Sequence, residues 1–310
     1  MMRLAIAYDG SSSAAAALQA AARLFPGAHA TVLNAPRTAA ARAGMAGIAG
    51  PTLSPELIQA TLDEIDAESQ AEAQAVAGEG VERATALGLD ASAGTVEPRS
   101  PLWEALLAAA HAAEADVLVC GTRGRGGLAR ALLGSTSTSL LHNTDLPLLV
   151  VHEGDPATDG PALLAFDGSD GAKRAIEAAG RVLGERPVIV VHAWESQYRR
   201  TLTAHALARG PVDDIREIVD TLEQALSDDA TAVMHDGVAA ARAAGLTAIG
   251  ETRESDDGAW RTLVRAAAEH DAALVVTGSR GIGGARSALL GSVSSGLIHN
   301  AERPVLVVPS

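Results

Sequence analysis

Apolar residues in this chain form short runs that alternate with longer, alanine-rich segments. In the first half the pattern predicts strands over 3–8, 30–34, 91–96, 116–120 and 147–151, and helices over 12–24, 54–87, 100–113 and 135–142. In the second half it predicts strands over 162–166, 187–192, 246–250, 272–277 and 304–308, and a long helix over 212–244. Apolar strands that alternate with helices are typical of a parallel sheet covered on both faces. With right-handed crossovers, each half becomes a doubly wound α/β domain. Residues 35–53 and 195–211 show no clear period and are predicted to be loops.

A glycine pattern occurs once in each half, at an offset of 157 residues (278 − 121). Its members are Gly121, Gly124, Gly134 and Ser135 in the first half, and Gly278, Gly281, Gly291 and Ser292 in the second. More than half of the positions aligned between 121–151 and 278–308 are identical, and the first strands match as well. The linker near Glu153–Pro161 therefore predicts two tandem domains, 1–153 and 161–310.

Charge and composition narrow the classes of partner. The formal net charge is −14 and Lys173 is the only lysine, which disfavours binding to nucleic acid or to an anionic membrane. Neither glycine loop contains a lysine, so neither is a Walker A loop. The single cysteine, Cys120, allows no intrachain disulfide. No uncharged apolar stretch reaches the roughly 18 residues that a membrane span needs. We therefore expect a soluble, cytoplasmic protein.

The glycine loops leave the carboxyl ends of predicted strands, where open α/β sheets bind ligands. Gly121 and Gly124 lack Cβ atoms, which lets backbone N–H groups approach a phosphate and permits positive φ. Gly134 and Ser135 stand at the start of a short helix, whose N–H groups, dipole and serine hydroxyl favour an anion.

Asp9 and Asp167 end the first strand of each half. A carboxylate there can bind a ribose hydroxyl, or a Mg²⁺ ion that bridges phosphates. The alternative is that each Asp-Gly-Ser sequence only caps the next helix; the matched positions favour the site. Arg123 and Arg280 have a similar ambiguity, since each can reach a phosphate or remain solvated.

Taken together, these residues resemble the universal stress protein family in its tandem two-domain form, whose nucleotide motif is G-x₂-G-x₉-G-[ST]. The resemblance implies a five-stranded, Rossmann-like parallel sheet in each domain, binding of ATP with Mg²⁺, and a role in the stress response. It places Asp9 and Asp167 near the ribose or the metal, and the motif residues around the phosphates. Adenine would lie against Leu33, Cys120, Val191 and Thr277, with Thr136 and Val293 as further contacts.

Family domains commonly pair through their last strands, so the resemblance also implies an intrachain pseudo-dimer through 147–151 and 304–308, and suggests a homodimer. No protein partner is identifiable from the sequence. No nucleophile–base pair or paired carboxylates are recognisable, which favours an ATP-binding regulator or sensor over an enzyme. A slow ATPase or phosphotransferase, and a nucleotide-independent interaction module, stay open as alternatives. Cys120 is expected to be a buried strand residue.

Overall fold

The computed structural model describes residues 1–36, 55–94, 96, 101–122, 133–154, 159–195, 213–281 and 290–310. The predicted loops over 35–53 and 195–211 lie almost wholly outside these ranges. The chain folds as two compact units, Met1–Asp155 and Pro156–Ser310. None of the described helices combines the length and the apolar character that crossing a membrane requires.

The first unit alternates strands and helices in the predicted order. Its strands are β1 (Arg3–Ala7), β2 (His29–Leu33), β3 (Asp90–Gly94), β4 (Val117–Gly121) and β5 (Leu148–Val151). Its described helices are α1 (Ser12–Leu24), α2 (Pro55–Ala86), α3 (Leu102–Ala112) and α4 (Ser135–Asn143). The strands pair in parallel in the order β3-β2-β1-β4-β5, which confirms the predicted fold class.

The second unit repeats this arrangement. Its strands are β6 (Ala162–Ala165), β7 (Val188–Trp194), β8 (Ala248–Glu254), β9 (Leu274–Gly278) and β10 (Val305–Val308). Its described helices are α5 (Asp170–Val182), α6 (Asp213–Ala243), α7 (Ala259–Glu269) and α8 (Ser292–Asn300). The strands are again parallel, in the order β8-β7-β6-β9-β10. β7 and β8 continue beyond the predicted ends at 192 and 250, because their ladder pairs as far as Trp194 and Glu254.

Helices cover both faces of each sheet. In the first unit α1 contacts α2 and α3 contacts α4, and in the second α5 contacts α6 and α7 contacts α8. Every residue of β4 and β5 is buried between these layers, as the apolar pattern predicts. The prediction of uniformly apolar strands is wrong for the edge strand β3, which is mostly exposed. An edge strand has a neighbour on one side only, so its side chains keep access to water.

A glycine in each long helix lets that helix lie directly on the sheet. A Cβ added at Gly80 of α2 would lie 2.7 Å from Val32 Cγ1 and 2.8 Å from Tyr8 Cδ1. A Cβ at Gly237 of α6 would meet Phe166 Cδ1 at 2.6 Å and Val190 Cγ1 at 2.8 Å. These contacts hold the aromatic ring that precedes Asp9 or Asp167 against the sheet. The close packing therefore fixes the backbone that enters each predicted site.

Gly80→Ala is expected to destabilise the fold, while Gly78→Ala on the same helix stabilises it. At Gly78 an added Cβ meets nothing within 4 Å, so the substitution gains helix propensity of roughly 0.5–1 kcal/mol. At Gly80 the same gain is outweighed by overpacking against Tyr8 and Val32, which costs about 1–3 kcal/mol. Urea unfolding of the two variants measures the difference in the free energy of unfolding. Equal stabilisation by both alanines would contradict the packing described for α2.

Candidate functional site

The predicted site residues of each unit meet where the strand order reverses. β1 lies between β2 and β4, so the chain leaves β1 in one direction along the sheet and returns on the other side to form β4. Ile6 of β1 pairs with Val119 of β4, and Leu164 of β6 pairs with Val276 of β9. The carboxyl ends of these two strands form the crevice in which doubly wound sheets bind ligands.

Each Asp-Gly-Ser sequence forms a tight turn at this crevice. Oδ1 of Asp9 accepts a hydrogen bond of 3.0 Å from the Ser11 N–H, and the Ser11 hydroxyl accepts one of 3.2 Å from Ala14 N–H. Gly10 between them has φ of +77°, a conformation that glycine adopts without strain. Ser11 is therefore the cap of α1, and Asp9 is the residue whose carboxylate the turn orients.

The second unit builds the same turn with the same distances. Asp167 Oδ1 accepts from the Ser169 N–H at 3.0 Å, and Ser169 Oγ accepts from Ala172 N–H at 3.2 Å. The other carboxylate oxygen of Asp167 lies against Gly281, where it would collide with an added Cβ. The structure thus brings together two residues, Asp167 and Gly281, that the sequence assigned to one site. Gly124, the counterpart of Gly281, and Arg123 lie outside the described residues, whereas Arg280 is described and is half-buried.

The first glycine of each motif has a packing role. A Cβ at Gly121 would overlap the first turn of α1, with the carbonyl carbon of Ser13 at 2.7 Å. A Cβ at Gly278 would lie 2.7 Å from the carbonyl carbon of Gly171 in α5. Neither glycine has φ in the left-handed region. Close approach of a helix to the strand end, without any ligand, is thus sufficient reason for glycine at these two positions.

Backbone hydrogen bonds close the base of each glycine loop. Gly134 N–H donates to Thr122 O at 2.8 Å, and Gly291 N–H donates to Ser279 O at 2.9 Å. These two N–H groups are therefore used inside the protein. As N-caps of α4 and α8, Gly134 and Gly291 offer no side chain to the first helical turn. The donors that can face an anion begin at Ser135 and Thr136, and at Ser292 and Val293.

Two serines that sequence reasoning missed hold these helices on the sheet. The buried hydroxyl of Ser137 donates to Gly121 O at 2.8 Å, and that of Ser294 donates to Gly278 O at 2.7 Å. Each bond joins the first turn of the short helix to the end of the neighbouring strand. The repeated Gly-Ser-x-Ser spacing, again at an offset of 157 residues (294 − 137), was the signal that could have identified them.

The four residues predicted to lie near adenine are all buried: Leu33, Cys120, Val191 and Thr277. Three of them are the last or next-to-last residue of their strands, but Val191 lies in the middle of β7, because that strand continues to Trp194. Burial raises the pKa of the Cys120 thiol to about 12, and a hydrogen bond with Ser137 lowers it only in part. Since the thiolate is the nucleophilic form of cysteine, Cys120 is inert at neutral pH. The expected burial of Cys120 is confirmed.

The residues that follow Leu33 and Val191 differ in type between the repeats, and the sequence did not assign them to the site. Asn34 Nδ2 donates to Tyr8 O at 2.6 Å. His192 Nδ1 lies 2.8 Å from Phe166 O, and because a carbonyl only accepts, this ring nitrogen carries the proton. An amide and an imidazole thus make the same contact, each to the carbonyl just before the site aspartate. The hydrogen bond to this carbonyl is therefore present in both units, although the residue that makes it differs.

No group of three or more potential metal ligands (His, Cys, Asp, Glu) occurs within the part of the chain that the structure describes. A cation at Asp9 or Asp167 would therefore share its coordination with a bound ligand. The arrangement in each unit suits a ligand that has an anionic group at one end, polar groups in the middle and an apolar group at the other end. It combines a helix N-terminus, an oriented carboxylate and a buried apolar floor at the strand ends.

Comparison with known proteins identifies the family. The universal stress protein family profile matches residues 1–152 and 160–309. A universal stress protein of Mycolicibacterium smegmatis is 36% identical over 206 residues, which cover 63% of this chain and 62% of that protein. One of Mycobacterium tuberculosis strain H37Rv is 33% identical over 209 residues, with 63% and 62% covered. The chain therefore covers less than two thirds of the length of these relatives.

A solved structure extends the comparison of the fold to the whole chain. The crystal structure of a universal stress protein from Archaeoglobus fulgidus DSM 4304 has a TM-score of 0.61 and 18% sequence identity, and the match covers 99% of this chain and 98% of that one. At this identity the likeness concerns the fold. The profile matches span both repeats, so the chain belongs to the universal stress protein family, as two tandem domains.

Proposed function

We propose that each unit binds one ATP molecule with Mg²⁺, and that the protein is a nucleotide-dependent regulator or sensor in the stress response. One observation carries the proposal: in each unit a turn-fixed aspartate lies across the strand crevice from an uncapped helix N-terminus. The helix N-terminus suits the anionic phosphates of a magnesium nucleotide. The aspartate suits a ribose hydroxyl or the metal ion. Family membership and the names of the relatives support the link to stress.

The phosphates would lie at the first turns of α4 and α8. Ser135 and Ser292 offer hydroxyls there, and the helix dipole favours negative charge. Ser137 and Ser294 act one step further from the ligand, since they hold each helix start against its strand. Bound Mg²⁺ would neutralise phosphate charge, with Asp9 or Asp167 as the protein ligand.

Binding without rapid turnover is the activity that these groups support. Among the described residues, the candidates for a general base in each crevice are the single aspartate and, in the second unit, His192. Cys120, with a pKa of about 12, supplies no nucleophile. A slow ATPase or phosphotransferase remains the second candidate, and steady-state turnover well above about 0.1 s⁻¹ would favour it.

The assembly and location that the sequence suggested remain predictions. Pairing through 147–151 and 304–308, and homodimer formation, would give a regulator a second surface through which the bound state acts. The protein partner, the absence of nucleic-acid binding and a cytoplasmic location belong to the same proposal. Size-exclusion chromatography with light scattering, with and without MgATP, tests homodimer formation directly.

Gly134→Val and Gly291→Val are each expected to abolish one of the two ATP sites, because the new side chain fills the space in front of the helix N-terminus. Both glycines have extended backbone (φ −62° and −64°), which valine also adopts. An added Cβ at Gly291 makes only ordinary contacts, the nearest at 3.5 Å, so the variant should fold. Calorimetric titration with MgATP, and mass spectrometry of nucleotide released on denaturation, measure the stoichiometry.

Gly78→Ala is the matched control, since it changes a glycine with free space around it, in helix α2. It should leave both sites intact. A folded Gly134→Val or Gly291→Val variant that retains full stoichiometry would show that its loop is not a binding site. Wild-type protein that binds no ATP in the presence of Mg²⁺ would overturn the proposed function as a whole.

Asp9→Asn and Asp167→Asn are expected to remove the Mg²⁺ dependence of binding at their own site while preserving the turn. Asparagine keeps the oxygen that accepts the bond from Ser11 or Ser169, but it lacks the charge that attracts the ion. Hydrogen bonds to charged groups contribute about 1.5–3 kcal/mol, so ATP affinity should fall roughly tenfold or more. Titrations with Mg²⁺ and with EDTA measure the effect. If the ratio of the ATP affinity in Mg²⁺ to the ATP affinity in EDTA is the same as in the wild type, the aspartates serve the turn alone.

A further inference from the structure

The second unit extends further than the first at the carboxyl edge of its sheet. β7 and β8 remain paired through His192–Thr252, Ala193–Arg253 and Trp194–Glu254, while β2 and β3 end at the pair Leu33–Gly94. The Ser255 N–H then donates to Trp194 O at 2.8 Å. The backbone of Trp194 is therefore fixed on the side of β8, on a continuous ladder.

This extension carries aromatic groups in a chain that has few. Only 2% of the residues are aromatic, and Trp194 is one of three tryptophans. Alternate residues of a strand share a face, so Trp194 and His192 lie on the same side of β7. Both are half-buried, which leaves part of each ring accessible. His192 is anchored through Phe166 O, directly before Asp167.

The first unit has no aromatic pair at this position. Asn34 makes the contact that His192 makes, and Pro36 stands two residues beyond it, where the second unit has Trp194. Pro36 is buried. The two units thus share the carboxylate turn and the helix N-terminus, and they differ at the end of the second strand.

A ligand held at the shared features points towards this difference. The start of α8 lies beside the exit of β9, since Gly291 N–H bonds to Ser279 O. β6 separates β9 from β7, and Asp167 follows β6. A nucleotide with its phosphates at α8 and its ribose at Asp167 would therefore have its base directed along the sheet towards β7. β9 and β7 are two strand spacings apart, or about 9–10 Å.

We infer that Trp194 is a base-stacking residue of the second unit, so that this site selects for the aromatic base while the first site binds mainly the phosphates and ribose. The inference rests on the proposed function, because it assigns a contact within the same nucleotide site. Purine nucleotides are the expected class, since their two-ring base covers more of an indole face than a pyrimidine does.

The inference is tested in Gly134→Val protein, in which the second site is measured alone. Base–aromatic stacking contributes about 1–3 kcal/mol, so Trp194→Ala should weaken MgATP binding by roughly fivefold to more than a hundredfold. Trp194→Phe retains a ring and should recover most of the affinity. Inorganic triphosphate has no base, so Trp194→Ala should leave its calorimetric Kd unchanged.

The first unit supplies the matched control. In Gly291→Val protein, Pro36→Ala should leave the affinity for MgATP unchanged. Indole fluorescence gives an independent readout: MgATP should quench the emission of Gly134→Val protein, inorganic triphosphate should not, and Trp194→Phe should remove the quenching.

Three outcomes overturn the inference, and they are distinguishable. If wild-type protein binds no MgATP, the proposed function fails and the stacking role fails with it. If wild-type protein binds two ATP molecules but Trp194→Ala retains full affinity at the second site, the stacking role alone fails. Equal weakening of MgATP and inorganic triphosphate by both Trp194→Ala and Trp194→Phe would show that Trp194 only shapes the strand end.

Discussion

The arrangement of each unit depends on the contact between a strand-end glycine and the first turn of a helix. Gly121 lies so close to Ser13 that a Cβ has no room, and Gly278 lies equally close to Gly171. This contact places the end of β4 directly beside the start of α1, and the end of β9 beside the start of α5. Asp9 and Asp167 immediately precede those helices. The carboxylate and the glycine loop are therefore neighbours because of backbone packing, before any ligand binds.

Two further hydrogen bonds fix the short helices α4 and α8 to the same strand ends. Ser137 and Ser294 bind the carbonyl groups of the same two glycines, so one residue fixes both the first helix and the last. A buried hydrogen bond of this kind is costly to break, because the carbonyl is left without a partner. The distance between the carboxylate and the helix N-terminus is thus set by the protein. Such preorganisation favours binding, because little ordering remains to oppose it.

The fold could be predicted from the sequence because its central strands are apolar and its repeat is long. The positions of the apolar strands β4 and β9 could be predicted for that reason, and the duplicated Asp9 and Asp167 indicated at which strand ends to expect a site. The polarity of the edge strand β3 and the extension of β7 and β8 were harder to predict, because pairing at a sheet edge depends on the neighbouring strand and not on the local pattern. Contacts made by different residue types were the hardest. Asn34 and His192 are different residue types, yet each donates to the carbonyl that precedes the site aspartate, Tyr8 O in the first unit and Phe166 O in the second.

The two units share more of their contacts than of their residues. The shared contacts lie at the carboxylate turn and the helix start, and the differences lie at the end of the second strand. The turn, the helix start and the serine anchor recur with nearly equal distances, so the parts of the crevice that we propose for phosphate and ribose should differ little between units. Divergence is concentrated at the end of the second strand, where Pro36 stands opposite Trp194 in the repeat. If base stacking adds affinity only in the second unit, the dissociation constants of the two sites for ATP differ by the factor that corresponds to the free energy of stacking. A single site changes occupancy mainly around its own Kd, whereas two separated constants extend the response over a wider range of nucleotide concentration. Unequal sites on one chain would therefore suit a sensor better than two identical ones.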